Sequence, residues 1–217
     1  MNPAVTTLSR LGHELRGPLT GIIALTNLMS RKIAQGVDPA RITHQLALVN
    51  SSASELLTVA ERVSDLARLD GPPTPGTDDQ CFDCALAVRE KCHDLNVPAG
   101  LPHHPVLIRG NPDGVRRMIA ELLDNAVKYA DRPAVTVTAD VAVTIEIRDH
   151  GPGLTENELQ RIADPFERGL TAHTRGVPGS GLGLNLADRL AARSGGVLTM
   201  TSSPEGTVVT VTFPKGA

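Results

Sequence analysis

The sequence predicts an α+β chain in which an N-terminal antiparallel helical hairpin precedes a mixed α/β domain. Apolar residues recur at helical spacing over the first 70 residues. A segment dense in proline and glycine, Gly71-Pro72-Pro73-Thr74-Pro75-Gly76, then interrupts every helical pattern. Beyond it, short alternating or β-branched runs lie between helical patterns and glycine-rich turns. We therefore expect one domain at residues 1–70, a flexible linker at 71–77 and a second domain at 78–217.

The composition limits the class of protein. Apolar residues make up 41% and charged residues 21%, as in ordinary soluble domains, and the net charge of -3 gives no reason to expect a nucleic-acid partner. No apolar run reaches the ~18–20 residues that cross a bilayer, and the N-terminus resembles no secretory signal. The three cysteines, Cys81, Cys84 and Cys92, are then expected to be reduced thiols in a cytoplasmic protein. A metal or thiol switch at these cysteines is the alternative.

The hairpin is predicted from two apolar stripes. Asn2 and Pro3 suit the cap and first position of one helix, and Asp38 and Pro39 suit the same positions of the other helix. The Asn2-Pro3 helix start favours a natural beginning of the chain. Because two helices leave apolar flanks uncovered, we expect a homodimer that forms a four-helix bundle. The stripes are Val5, Leu8, Leu11, Leu15, Ile22, Met29 and Ile33, then Ile42, Leu46, Val49, Ala53, Leu56, Ala60, Val63 and Leu66 or Leu69.

Strands and helices alternate in the second domain. Their order predicts helices packed on a mixed sheet. The predicted elements are a helix at 112–130, a hairpin at 134–139 and 141–148, a helix near 155–163, a helix at about 181–193, and a closing hairpin at Leu198–Ser202 and Thr207–Phe213.

His13 is the candidate nucleophile of the first helix. Glu14 follows it, and a carboxylate beside an imidazole can hold one ring nitrogen and leave the other reactive. Pro18 cannot donate to the carbonyl of Glu14, so the helix is expected to bend just below the histidine. The alternative is a solvated histidine with an incidental proline.

Glu121, Asn125 and Lys128 form a second candidate cluster. Their i, i+4 and i+7 spacing places them on one face of the 112–130 helix. An amide oxygen can ligate Mg²⁺ and an ammonium group can neutralise a phosphate. A polar surface stripe is the alternative reading.

Two glycine-rich loops complete the candidate site. Asp149-His150-Gly151-Pro152-Gly153 follows a β-branched strand, so the backbone can approach a flat ligand and Asp149 can accept from an exocyclic amine. Gly179-Ser180-Gly181-Leu182-Gly183-Leu184 leads into a helix whose N-terminus attracts phosphate. It differs from a P-loop because no Lys-Ser or Lys-Thr follows, and a plain turn is the alternative.

Taken in order, these segments resemble the signature boxes of bacterial sensor histidine kinases. The resemblance covers nearly the whole chain. It implies a dimerising phosphoacceptor hairpin followed by an α/β sandwich ATP-binding domain of the GHKL type. The matching segments are His13-Glu14-Leu15-Arg16 with Pro18-Leu19 (phosphoacceptor box), Glu121–Lys128 (N box), Asp149–Gly153 (first glycine box), Pro165-Phe166-Glu167-Arg168 (F box) and Gly179–Leu184 (second glycine box).

The resemblance implies ATP and Mg²⁺ as cofactors and a role for each matching residue. His13 would accept the phosphoryl group, while Glu14 orients it and takes its proton. Asn125 would hold Mg²⁺, with Glu121 near metal and water, and Lys128 would contact phosphate. Residues 167–180 would form a lid. Implied nucleotide contacts are Tyr129, Asp149 with Thr207, Gly151, Gly153, Phe166, Arg168 near the γ-phosphate, Gly179, Gly181, Leu182 and Gly183.

The implied partner is the receiver domain of a response regulator, which takes the phosphoryl group on an aspartate. Gly17 departs from the family pattern, because many members carry Thr or Asn there to position the water that dephosphorylates the partner. We therefore expect weak phosphatase activity. Ala163 replaces the first Phe of the F box, so lid packing is expected to be looser, and the short Pro/His-rich stretch 92–109 predicts a reduced sheet.

Two other functions compete with an ATP-dependent autokinase. A non-catalytic histidine phosphotransfer or docking protein would keep the hairpin and a vestigial ATP-binding domain. Asn125, Asp149 and the glycine loops favour the kinase, because a domain freed from ATP does not need them. A gyrase-type or chaperone-type ATPase is disfavoured, because no transducer domain follows and His13 would have no role.

Overall fold

A computed structural model divides the chain into two compact units, Met1–Ser64 and Asp65–Ala217. The structure describes residues 3–37, 42–72, 76–129, 132–170, 177 and 179–215, without the side chains of residues 3–9, 13 and 14. The predicted helix caps at Asn2 and at Asp38 lie outside these residues.

The first unit contains the two predicted helices. Helix α1 spans Pro3–Ala34 and carries Pro18 in its interior, and helix α2 spans Thr43–Leu69 and continues into the second unit. The amides of Gly36 and Val37 donate to carbonyls of the last turn of α1, and Gly36 has φ +75°, which ends the helix. No helix in the described part of the chain is long and apolar enough to cross a membrane.

The hairpin of a single chain leaves much apolar surface uncovered. Among its described side chains, the buried ones are Ile42 and Val59. The predicted stripe residues Ile33 and Leu46 are exposed, whereas Val59 was not predicted to be buried. Apolar side chains between 42% and 62% exposed are Leu19, Ile23, Leu28, Ile33, Leu46, Leu48 and Leu57.

The second unit is an α/β sandwich, as predicted. Its main sheet has the strand order β2-β4-β5-β7-β6, antiparallel except for the β2–β4 pair, and β1 pairs with β3 in a separate ladder. The elements are β1 Gln80–Asp83, α3 Cys84–Leu95, β2 Ala99–Gly100, β3 Leu107–Gly110, α4 Pro112–Tyr129, β4 Ala134–Ala139, β5 Ala142–Arg148, α5 Glu156–Leu159, α6 Gly183–Arg193, β6 Val197–Ser203 and β7 Gly206–Pro214.

One aliphatic core joins α3, α4 and α6 to the sheet. The alternation of buried and exposed residues along β4 and β5 turns Val and Ile side chains toward the helices. Helix α4 packs against both α3 and α6. Fully buried members of the core include Val88, Val115, Met118, Leu123, Ile145, Ile147, Leu186 and Phe213.

Two predicted helices differ from the observed ones. The helix near 155–163 is only Glu156–Leu159, because turns replace it from residue 160 onward. Helix α6 begins at Gly183 rather than 181, because Gly181 has φ +69°. The 92–109 stretch gives the main sheet only the two-residue β2, as the expected reduction implied.

Asp83 connects three parts of the second unit. Its Oδ1 caps α3 by accepting from the amide of Ala85 at 3.0 Å, and it also accepts from the amide of Val106 at 2.9 Å. This carboxylate, at the end of β1, therefore binds both the start of α3 and the residue that precedes β3.

Replacing Asp83 by Ala should lower the free energy of unfolding by about 1–3 kcal/mol, because two backbone donors lose their acceptor. Urea denaturation measures the change. Asp79→Ala is the matched control, since that side chain is 75% exposed and forms a surface pair with Arg109; its effect should stay below about 0.5 kcal/mol. Equal losses in the two variants would contradict the capping role.

Candidate functional site

Helix α4 presents part of the predicted polar face to solution. Its buried side carries the aliphatic core residues, while Asn125 is half-buried and Lys128 exposed. Glu121 differs, because it is only 3% exposed. The three side chains therefore lie on one helix as predicted, but Asn125 and Lys128 are accessible whereas the carboxylate of Glu121 is buried.

Glu121 lies beside an arginine of the preceding turn. Nη2 of Arg117 is 3.2 Å from its Oε1, and Nε of Arg117 is 3.6 Å from Oδ2 of Asp65. A buried carboxylate is costly unless a cation accompanies it. The charge of Glu121 is thus balanced within the protein.

Asp149 and Thr207, paired in the sequence-based interpretation, lie together. Oδ1 of Asp149 accepts from the amides of Gly151 at 2.9 Å and Thr207 at 3.1 Å, and the amide of Asp149 donates to the carbonyl of Thr207 at 2.9 Å. Both described hydrogen bonds to the carboxylate use Oδ1. Oδ2 can therefore accept from a ligand.

Glycine permits the loop that follows β5, residues 149–153, to approach the β6–β7 turn closely. Gly153 has φ +68°, and a Cβ there would lie 1.9 Å from the carbonyl oxygen of Ser203. A Cβ on Gly206 would lie 1.9 Å from the carbonyl oxygen of Asp149. Any side chain at either position would separate the two segments.

Ser202 was missed by sequence reasoning. Its hydroxyl accepts from the amide of Leu154 at 2.8 Å, donates to the carbonyl of Gly206 at 3.2 Å and lies 3.0 Å from the hydroxyl of Thr207. A serine in a strand carries no local signal, and only its pairing with Thr207 across β6 and β7 brings it here.

The F box and the second glycine loop are joined. The amide of Phe166 donates to the carbonyl of Gly181 at 3.0 Å, and Phe166 has φ +66°, a conformation that costs free energy in a non-glycine residue. A Cβ on Gly181 would lie 2.7 Å from the carbonyl oxygen of Glu167. Asn185 of α6 also donates to the carbonyl of Ala163 at 2.9 Å, so this alanine lies at the junction.

One described end of the predicted lid contacts α4, and the two ends contact each other. A Cβ on Gly179 would lie 2.4 Å from the hydroxyl of Tyr129 and 3.2 Å from Nζ of Lys128. Arg168 donates through Nη2 to the carbonyl of Val177, whereas its buried Nε has no hydrogen-bond partner among the described residues. Residues 171–176 and 178 of the lid lie outside the described part.

Glu158 binds the start of the lid at Leu170, and it was not singled out in the sequence. Its carboxylate accepts from the hydroxyl of Thr155 at 2.7 Å and from the amides of Thr155 at 2.8 Å and Leu170 at 2.7 Å. These hydrogen bonds lower the pKa of Glu158. The signal was present, because Thr155 and Glu158 form a capping box.

The second glycine loop ends in a buried turn. Leu182 and Gly183 are buried, Ser180 is 4% exposed, and no described side chain caps the amides at the start of α6. Lys128 of α4 lies beside Gly179 of this loop, and the F box that carries Arg168 lies beside Gly181, so two cationic side chains accompany the start of α6. Such a set can bind a nucleoside polyphosphate.

His13 and Glu14 belong to the other unit. Both are consecutive residues of α1, and their side chains are outside the described set. Gly17 is exposed on the same helix, and a Cβ there would meet no atom within 4 Å.

The cysteines differ in accessibility. Cys81 is exposed, while Cys84 and Cys92 are buried in α3. Burial, and secondarily the charge of Asp83, raises the pKa of Cys84 to about 12, and burial raises the pKa of Cys92. No group of three or more potential metal ligands occurs among the described His, Cys, Asp and Glu residues, so the metal alternative gains no support there.

Two family profiles match the chain. Residues 6–72 match the His Kinase A (phospho-acceptor) domain, and residues 110–217 match the histidine kinase-, DNA gyrase B- and HSP90-like ATPase domain.

Curated relatives match over almost the whole chain. They include the sensor histidine kinase RcsC of Escherichia coli K12 (30% identical, covering 95% of this chain and 23% of RcsC) and the probable sensor histidine kinase TcrY of Mycobacterium tuberculosis (29% identical, covering 93% and 44%). The non-motile and phage-resistance protein of Caulobacter vibrioides is 28% identical, covering 95% and 26%. The chain thus spans less than half the length of these relatives.

Solved structures share the fold. The Acinetobacter baumannii histidine kinase AdeS has a TM-score of 0.66 at 19% identity, covering 94% of this chain and 98% of AdeS. Full-length ShkA in complex with AMPPNP has a TM-score of 0.63 at 23% identity, covering 97% and 46%.

We expect one of the three thiols to react quickly with Ellman's reagent at pH 8 in the folded protein. Cys81 is exposed, whereas burial and a raised pKa protect Cys84 and Cys92. Stopped-flow absorbance counts the fast thiol, and Cys81→Ser should abolish that phase. In denaturant all three should react; fast reaction of more than one folded thiol would contradict the burial described.

Proposed function

The chain belongs to the bacterial sensor histidine kinases, and on that premise we propose that it uses ATP to phosphorylate His13 and passes the phosphoryl group to an aspartate of a response regulator receiver domain. The observation that carries the proposal is the fixed carboxylate of Asp149, with Oδ1 bound by two amides and Oδ2 left to accept from an adenine amine.

The described residues fit ATP and Mg²⁺. Asn125 is half-buried on α4 with an amide oxygen suited to Mg²⁺. Because Arg117 is already the counterion of Glu121, we propose Asn125 as the metal ligand, with Glu121 near the metal but not bound to it. The buried Nε of Arg168 has no hydrogen-bond partner among the described residues and suits a phosphate oxygen. When bound, Mg²⁺ and ATP would supply charge compensation and the γ-phosphoryl group.

Phosphoryl transfer depends on alignment and charge compensation more than on covalent help from the protein. An imidazole nitrogen of His13 forms the new P–N bond as the bond between the γ-phosphorus and its bridging oxygen breaks and ADP leaves. Glu14 takes the imidazole proton. Lys128 and Arg168 offset the charge that develops on the transferred group.

The proposed functional state is a homodimer in the cytoplasm. The exposed leucines and isoleucines of the hairpin need a partner of the same pattern, which a second copy supplies in a four-helix bundle. The receiver domain would then bind the bundle near His13. ATP and reduced thiols are both features of the cytoplasm.

Incubation with γ-labelled ATP and Mg²⁺ should give label that is labile in acid and stable in alkali. His13→Ala should remove all label, because the acceptor is gone, and Asn125→Ala should slow labelling by about 100-fold. His93→Ala is the matched control, since that side chain is 90% exposed, and it should label like wild type. No label on the wild type, or label that persists in His13→Ala, would overturn the proposal; the first result would favour a non-catalytic phosphotransfer protein.

We propose further that the protein is a weak phosphatase because Gly17 offers no side chain to position a water. Gly17→Thr should speed loss of phosphate from a receiver domain labelled by this protein, in the presence of ADP, by about tenfold or more. The open surroundings of Gly17 leave room for the threonine. Gly12→Thr, equally unobstructed on α1, should leave the rate unchanged. An unchanged rate in Gly17→Thr, or rapid dephosphorylation by wild type, would contradict this proposal.

A further inference from the structure

The proline- and glycine-rich segment between α2 and β1 is bound at both ends by one side chain. Arg193, the last residue of α6, donates through Nη1 to the carbonyl of Gly71 at 2.8 Å and, more weakly, to that of Leu69 at 3.4 Å. Its Nη2 donates to the carbonyl of Pro72 at 2.8 Å, and its Nε to Oδ2 of Asp78 at 2.9 Å. These five residues form what we call the Arg193 clamp.

The Arg193 clamp is shielded from solvent. The side chains of Arg193 and Asp78 are 19% and 15% exposed. An ion pair of this kind is screened less than a surface pair, and losing one partner leaves the other poorly compensated. The last carbonyl groups of a helix have no partners within the helix itself. The planar guanidinium has five N–H donors in a fixed fork and can bind several carbonyls and a carboxylate together, whereas an ammonium group has three donors on one atom.

The clamp continues into the helix that carries the proposed metal ligand. Oδ1 of Asp78 accepts from Nδ2 of Asn111 at 3.0 Å, and Oδ1 of Asn111 accepts from the amide of Gly114 at 3.0 Å, in the first turn of α4. Helix α6 also runs from the second glycine loop to Arg193. One network therefore joins both helices of the candidate nucleotide site to the chain that arrives from α2.

Further contacts attach the end of α2 to the same unit. Arg189 forms an ion pair with Asp70, and Arg117 does so with Asp65. Leu66 and Leu69 pack against the aliphatic core. The segment was expected to be a flexible linker from residue 71 onward; its described parts, Gly71-Pro72 and residues 76–78, are instead held to the second unit.

We propose that Arg193 is a positioning residue for the phosphorylation of His13, because it fixes the end of α2 and the segment that follows it to the rest of the second unit. The inference rests on the proposed function. A connection that is held in one path leaves the second unit fewer orientations to sample than a freely moving loop does, so less conformational entropy is lost when the γ-phosphoryl group meets His13. Arg193 lies at the opposite end of α6 from the second glycine loop and acts through the path of the chain.

Arg193→Met keeps an apolar stem and removes every donor. At saturating ATP, the rate constant for autophosphorylation should fall by about tenfold. The ATP concentration at half-maximal rate, and the affinity for a fluorescent ATP analogue, should change less than about twofold, because the site residues stay in place. Amide hydrogen exchange at Asp70 and Gly71 should accelerate by about tenfold as the end of α2 is released.

Matched variants separate positioning from folding. Arg116→Met removes an arginine that is 51% exposed and pairs with Asp113 of its own helix, and it should match wild type in every measurement. Asp78→Asn should shift rate and exchange in the same direction by less, and it serves as the test if Arg193→Met does not fold. Arg193→Lys should restore only part of the rate, because it restores charge without the planar fork.

An autophosphorylation rate in Arg193→Met that is unchanged or higher would overturn the inference, as would a rate loss matched by an equal loss of analogue affinity. Unchanged exchange at Asp70 and Gly71 would also overturn it. Failure of the wild type to take up label would instead refute the proposed function, and the exchange measurement would still decide whether Arg193 holds the segment.

Discussion

The candidate site depends on a backbone contact that only glycine allows. The loop after β5 and the turn between β6 and β7 approach so closely that a Cβ on Gly153 or Gly206 would overlap a carbonyl oxygen of the other segment. Within that contact, Oδ1 of Asp149 receives the amide of Thr207. The continuous register of β5 with β7 ends beside it, so the carboxylate is positioned by the sheet rather than by a free loop. Its remaining oxygen is therefore held in a fixed place.

An aliphatic core places the cationic part of the site relative to that carboxylate. Aromatic residues are only 2% of the chain, and Phe213 is the aromatic side chain buried in the described core. Close packing of branched side chains fixes α4 beside α6. As a result, Lys128 at the end of α4 and the second glycine loop at the start of α6 lie at the same end of the unit, where Gly179 meets Tyr129. The candidate phosphate-binding groups therefore lie at helix ends, and the core fixes the helices that carry them.

Periodicity predicted the parts of the fold that burial determines. Helix α4 and strands β4 and β5 lie within one or two residues of their predicted bounds, because one face of each contacts the core. Helix α5 was predicted too long: it is only Glu156–Leu159, and turns follow it from residue 160. Spacing placed Glu121 beside Asn125 but could not reveal its burial next to Arg117, which also meets Asp65 from a distant part of the chain. Such pairings appear only once the fold is known.

Composition also could not distinguish a hinge from a fixed segment. Proline has no amide proton but retains its carbonyl, and a helix end offers carbonyls without partners in the helix, so a proline-rich segment after a helix has more acceptors than donors of its own. Arginine has five donors and no acceptor, which makes it the complementary side chain. Whether such a segment bends therefore depends less on its prolines and glycines than on a donor elsewhere in the chain. In this protein the donor is Arg193, which follows the segment by more than 100 residues.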